Sequence, residues 1–296
     1  MDYQAVYQQD KKLVDQALAG YFADASAPYH RLLESMHYSL TAGGKRLRPI
    51  LVLAFCRACG GDAEKALPVA CALEMVHTYS LIHDDLPCMD DDDLRRGKPS
   101  NHKVFGEDIA LLAGDALLTL AFTALTNEKT ASLAGDSACR RAAAALSAYA
   151  GASGMVGGQV IDLISENKQV PIETIREIEY KKTACLIKAA CELGCLSAGA
   201  DSDRVCAASR YGECLGIAFQ IQDDILDCTS TDEELGKPVG SDVENQKSTF
   251  VSLLGIEKAR ETVNELTESA VEALRVFDGE TDSLEEFARA MASRSN

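Results

Sequence analysis

Proline is scarce, with seven in 296 residues, which leaves room for long unbroken helices. Alternating runs of β-branched residues, the mark of half-buried strands, are almost absent. No tract is rich in Pro, Gly and Ser, and nothing recurs at a solenoid period, so neither a linker nor a stacked-repeat architecture is indicated. Positive charge is in the minority: 29 Lys and Arg stand against 46 Asp and Glu, a formal net charge of −17. That balance excludes a general nucleic-acid binder, which neutralises phosphates with clustered cations, and removes bulk attraction to an anionic membrane surface. The opening MDYQAVYQQDKKLVDQAL lacks the apolar core of a secretory signal. The longest apolar stretch, Ile109 to Leu125, is short for a membrane span and contains Asp115. A GxxxxGK[ST] loop is missing, which argues against an NTPase.

What is present is an ordinary globular mixture, 47 % hydrophobic and 25 % charged. Length alone allows two domains or one large one. Eleven Cys is a high count, but Cys71, Cys185, Cys191, Cys195, Cys206 and Cys214 sit inside apolar helical runs. They read as small core residues in a reducing cytoplasm. Cys56 and Cys59 form a single CxxC with no second pair and no nearby His pair, which is too little for zinc. Helical periodicity runs over 2–22, 28–41, 48–59, 65–83, 107–126, 136–164, 172–194, 204–226 and 250–277, with a shorter helix near 283–292. The runs at 65–83 and 204–226 are apolar nearly all round, as central buried helices are. The expected fold is all-α, one domain over 1–296, with a central apolar cavity.

Polar clusters interrupt this fabric. In H83-D-D-L-P-C-M-D-D-D-D-L-R-R96 a core helix delivers Asp84 and Asp85 at its end. Pro87 helps end the helix, so that Asp90 can fold back toward Asp84. Carboxylates gathered this way repel one another and resist burial, and Mg²⁺ with oxygen ligands relieves both problems. A solvated loop explains Asp91, Asp92 and Asp93, but not acids seated on a core helix. In F219-Q-I-Q-D-D-I-L-D227 the residues Gln220, Asp223, Asp224 and Asp227 share one helical face at i, i+3, i+4 and i+7. Three acids on a core helix cost several kcal/mol unless compensated. Two such faces suggest opposed carboxylates with metals between. G43-G-K-R-L-R-P49 and the group Arg95, Arg96, Lys98 and Lys103 concentrate cations in an acidic chain. Pairing with the many acids would account for each cluster singly; beside metal-type carboxylates, cations favour a polyphosphate ligand. Isolated polar groups stand on apolar helices at His77, Gln159, Asp162, Lys182 and Thr183, and Lys237 lies in a Gly-rich loop. Singly each would be structural, as His30, His37 and His102 are taken to be.

With these motifs in order, together with LAGDALL, GGQVIDL and GKPVGSD, the chain resembles the trans-prenyl diphosphate synthases, most closely the bacterial farnesyl diphosphate synthases. The resemblance runs from about Leu33 to Leu254. It implies an all-α, usually homodimeric enzyme with isoprenoid diphosphates as substrates and no membrane insertion. Asp84, Asp85 and Asp90 would bind Mg²⁺, and Asp223, with Asp224 and Asp227, a further Mg²⁺. Three Mg²⁺ per site are implied, with Mn²⁺ as a substitute. Arg95, Lys182 and Lys237 would hold the allylic diphosphate beside Thr183 and Gln220. Lys45, Arg48, His77 and Arg96 would hold isopentenyl diphosphate. Tyr79, five residues before Asp84, and Ser80 would limit product length. The Pro87-Cys88 insertion is associated with shorter products in such enzymes. The implied product is farnesyl diphosphate, with geranylgeranyl diphosphate second. A class I terpene cyclase is more remote, since it normally carries an Asn/Ser/Glu second motif and needs no second diphosphate site.

Overall fold

The computed structural model describes residues 3–22, 27–229 and 249–294. Lys237 lies outside them. The chain folds as α1 (Tyr3–Ala19), α2 (His30–Leu40), α3 (Leu47–Ala58), α4 (Ala63–Asp84), a two-stranded hairpin of β1 (Leu94–Arg95) and β2 (Lys98–Pro99), α5 (Asn101–Phe105), α6 (Glu107–Thr126), α7 (Glu128–Ala134), α8 (Asp136–Ala150), α9 (Met155–Ser165) and α10 (Ile172–Ile178). A π-helical turn, Glu179–Ala184, leads into α11 (Cys185–Ser197) and α12 (Ser202–Thr229); α13 (Phe250–Leu254), α14 (Ile256–Ala273), a 3₁₀ turn (Leu274–Val276) and α15 (Asp282–Ser293) follow.

The all-α expectation holds, and the two helices with little amphipathicity are the central ones. α4 packs against α3, α6 and α11, while α12 packs against α11 and α14. The start of α4 is fixed by Asp62, whose side chain accepts from the Glu64 N–H at 3.0 Å. The main core joins α4 to α3, α6 and α11 through residues such as Phe55, Leu73, Met75 and Leu117. A smaller cluster packs Ile221 and Ile225 of α12 against Phe250 and Val263.

Three expected long helices are interrupted. The run over 136–164 breaks at Gly151–Gly154, where a Cβ on Gly154 would stand 2.0 Å from the Tyr149 carbonyl. Periodicity continued across the break because both pieces bury apolar faces. The run over 172–194 contains the π-helical turn, and the run over 250–277 stops at Gly255, whose φ of 82° a helix does not accept. Cys206, expected inside an apolar run, is exposed, and none of the eleven cysteines forms a disulfide.

Against the expectation of a stretch too short to span, α6 is 20 residues long and apolar enough by composition to cross a membrane. In this fold it lies along α4 and α2. It buries Ala110, Ala113, Leu117, Ala121 and Leu125 and leaves Leu111 and Leu112 half exposed.

Candidate active site

α4 ends in two aspartates because Asp84 closes the helix and Asp85 caps it. The turn after Pro87 returns the chain, so the Asp90 N–H donates to the Asp84 carbonyl at 2.9 Å. The two carboxylates then share one field. Burial first, with Asp90 adding to it, raises the Asp84 carboxyl to about 6 against the opposing pull of Lys182 and Arg95. Asp85 faces elsewhere. It is buried and ion-paired with Arg95, whose guanidinium also reaches Asp92 at 3.0 Å. Burial still keeps the Asp85 carboxyl above its ordinary value.

The hairpin after this motif turns through Arg96 and Gly97, both at positive φ, the geometry of a tight two-residue hairpin. That turn carries Arg96 onto the glycine loop, where its guanidinium donates to the Gly43 carbonyl. A Cβ on Gly44 would stand 2.6 Å from Arg96 Cζ, and the φ of 114° at Gly44 would strain any L side chain there. Arg46 turns inward to Glu74 at 2.6 Å and Asp15 at 2.8 Å and serves the fold. Arg48 and His77 meet at 3.3 Å. Burial, opposed by Glu74 and reinforced by Arg96, pushes the Arg48 guanidinium down to about 10. Burial and the neighbouring guanidiniums hold His77 neutral, well below its usual pKa. Arg48 and Arg96 thus form a cationic nest whose anionic neighbours are Glu74 and Asp15.

The π-helical turn adds a residue to one helical turn and orients Lys182 and Thr183 differently from their helical neighbours. Lys182 Nζ pairs with Asp162 of α9 at 2.6 Å, and the fields of Asp84 and Asp90 also reach it. Burial opposes its charge, but Asp162 prevails and the ammonium pKa is raised. Thr183 donates to Gln220 of α12 at 3.0 Å. α9 approaches through Gly158, where a Cβ would stand 2.3 Å from the Lys182 backbone nitrogen. Between these elements lies a cavity of about 170 Å³ lined by Asp162, Glu179, Lys182, Thr183, Gln220 and Asp224, with Val170, Ile175 and Ile178. This cavity is mixed in polarity. Tyr79 and Ser80 do not line it. Tyr79 is buried in the core with its ring edge-on to His83 at 5.6 Å, and Ser80 donates to the His77 carbonyl at 2.9 Å.

The three acids of the second motif divide by burial. Asp223 is 42 % exposed at its side chain and ion-paired with Arg294. Asp224 is buried and accepts the N–H of Phe250, the first residue of α13, at 3.1 Å. Asp227 is buried at 3 % exposure. Lys45 lies near this motif: burial and Arg294 lower its pKa, opposed by Asp223.

Lys182 is thus brought to Asp84 and Asp90, Thr183 to Gln220, Arg48 to His77 and Arg96, and Lys45 to Asp223. Arg95 is spent on Asp85. Sequence reading singled out Asp162 without a role and missed Glu179 and Arg294. Glu179 is 3 % exposed with neither carboxylate oxygen hydrogen-bonded, and its only sequence signal was an acid three residues before Lys182. Among the described residues no three ligating side chains converge. The donor chemistry nevertheless fits a hard divalent cation: Asp84 and Asp90 are oxygen donors whose mutual repulsion is not fully relieved. Asp223 adds an accessible carboxylate.

A polyprenyl synthetase family model matches residues 29–284. The chain is 46 % identical to the farnesyl diphosphate synthase of Bacillus subtilis, over 97 % of this chain and 96 % of that protein. It is 49 % identical to a chloroplastic geranylgeranyl pyrophosphate synthase of Capsicum annuum, over 84 % of this chain and 67 % of that one. The crystal structure of an FPP/GFPP synthase from Zymomonas mobilis superposes with a TM-score of 0.88 at 39 % identity, covering 99 % of both chains. An all-α fold, a family match over most of its length and relatives matched nearly end to end place this chain in the polyprenyl synthetase family of prenyltransferases.

Proposed function

We propose that the protein condenses isopentenyl diphosphate head-to-tail with dimethylallyl and geranyl diphosphates to give (E,E)-farnesyl diphosphate. The observation that carries this reading is the Lys182–Thr183 turn, which faces Asp84 and Asp90 on one side and Gln220 on the other. Asp84, Asp85, Asp90 and Asp223 would hold Mg²⁺, with Asp224 and Asp227 supporting from the buried side. The metal, when bound, draws charge from the leaving diphosphate. Lys182 holds the allylic diphosphate, with Lys237 assigned to the same group and Arg95 anchoring Asp85. Arg48, His77, Arg96 and Lys45 hold the diphosphate of the second substrate, and neutral His77 donates without adding charge. The Thr183 and Gln220 dipoles lie where the allylic cation develops and stabilise it. Closed helical walls keep water from quenching that cation. No side-chain base is assigned for the final proton loss, which falls to the departing diphosphate.

Relatives of both product lengths support geranylgeranyl diphosphate as the second reading. Tyr79, buried one and a half helical turns before Asp84, favours the shorter product. Incubation with isopentenyl and dimethylallyl diphosphates, followed by chromatography of the dephosphorylated products, tests the assignment. A fifteen-carbon alcohol is expected. A twenty-carbon product would replace the farnesyl reading, and a cyclised hydrocarbon would overturn prenyl transfer altogether. We also assign a cytoplasmic location and a homodimer, the latter supported by the half-exposed Leu111 and Leu112 on α6.

A further inference from the structure

Arg294, just beyond α15, returns to α12 and is held there by four contacts. Its guanidinium pairs with Asp223, donates to the Phe219 carbonyl at 3.1 Å and lies 4.0 Å over the Phe219 ring. Its own carbonyl accepts from Gln222 Nε2 at 3.1 Å. The side chain is 9 % exposed, and its Nε has no acceptor. Asp223, at the other end of the pair, is 42 % exposed. Lys45 feels both groups, so three charges share one field. A guanidinium on a carboxylate neutralises the same charge that a divalent cation neutralises. The two therefore compete for Asp223, and the buried Arg294 has the head start of a cation–π contact and a carbonyl.

We propose that Arg294 is a displaceable internal counter-ion: it holds Asp223 while the site is free of metal, and metal binding at Asp223 must break this latch. The inference rests on the reading of Asp223 as a metal ligand. Arg294 is a positioning residue in this scheme, since it sets the charge and orientation of Asp223 rather than touching reacting atoms.

The test is Mn²⁺ binding to the full chain without substrate, followed by the electron paramagnetic resonance of free Mn²⁺. Wild type is compared with Arg294→Ala, Arg294→Lys, Asp223→Asn and the Arg294→Ala/Asp223→Asn double variant. Removing one competing, partly exposed ion pair should tighten one Mn²⁺ site by roughly threefold to tenfold in Arg294→Ala. Arg294→Lys, which retains charge but loses the planar fork, should fall between, and it serves if the alanine variant folds poorly. The double variant should show no tightening. Unchanged or weaker Mn²⁺ binding in Arg294→Ala, with a site lost in Asp223→Asn, would overturn the latch and leave the metal reading standing. If Asp223→Asn loses no site, the metal reading of Asp223 fails and the latch falls with it.

Discussion

Glu179 is a buried acid with no hydrogen-bond partner, facing a second acid across the cavity beside Lys182. Burial first, then Asp224, raises its carboxyl to about 8, with Arg176 opposing. The folded state therefore holds a proton that the unfolded chain releases near pH 4.5, so stability declines as pH rises from about 4.5 to about 8. Glu179→Gln removes that slope. Its unfolding free energy should match wild type near pH 4.5 and exceed it by pH 8, where the difference is on the order of 2–4 kcal/mol. Parallel stability curves across that range would show that Glu179 is not strained. Asp84 obeys the same sign over a narrower window, between its ordinary value near 4 and about 6. Asp84→Ala should fold at least as well as wild type, since it relieves repulsion with Asp90, and should lose roughly a thousandfold in turnover. Activity close to wild type in saturating Mg²⁺ would remove Asp84 from the ligand set.

The π-helical turn and the α4–α6 contact are where helices, rather than single groups, decide the outcome. Gly158 lets α9 press against the backbone at Lys182, and Gly114 of α6 leaves a notch for the His83 imidazole. A methyl at 114 would stand 2.1 Å from His83 Nε2, which also contacts the Leu111 carbonyl at 3.0 Å. Gly158→Ala should shift the turn. The expected cost is about 1–3 kcal/mol of stability from overpacking, with a larger fall in turnover than the stability loss alone explains. Calorimetry against single-turnover rates separates the two. Along α4, Tyr79→Ala should open space below Asp84 and move products toward longer chains. An unchanged product profile would show Tyr79 to be core packing only. Arg48→Ala should chiefly raise the KM for isopentenyl diphosphate, since Arg48 stands with His77 and Arg96. A selective loss of allylic affinity would reverse the two diphosphate sites.

Across the assembled fold, the apolar face of α6 that α4 does not cover presents Leu111 and Leu112 at 47 % and 51 % exposure. A second copy packing there would bury them. The double substitution Leu111→Glu/Leu112→Glu should convert a dimer to a monomer in size-exclusion chromatography with light scattering, while circular dichroism stays helical. A monomeric wild type, or a dimer that survives the substitution, would rule this face out.

Fold class was legible from the chain because long apolar periods, few prolines and no strand alternation admit little besides helices. The ends of α4 and the acidic stripe of α12 were equally legible, since carboxylates on core helices require an explanation that solvation does not supply. Local sequence could not reveal which carboxylates are spent on neighbours. Asp85 is taken by Arg95, ten residues away, Asp162 by Lys182, twenty away, and Asp223 by Arg294, seventy-one away. Nor could periodicity find the break at Gly151–Gly154 or the π-helical turn, because the apolar positions repeat through both. The helix pattern and the acidic motifs were set by short-range spacing, which a chain carries in itself. The counter-ions, the orphaned Glu179 and the notch at Gly114 were decided only when distant helices packed, because burial and charge pairing are properties of neighbours in space.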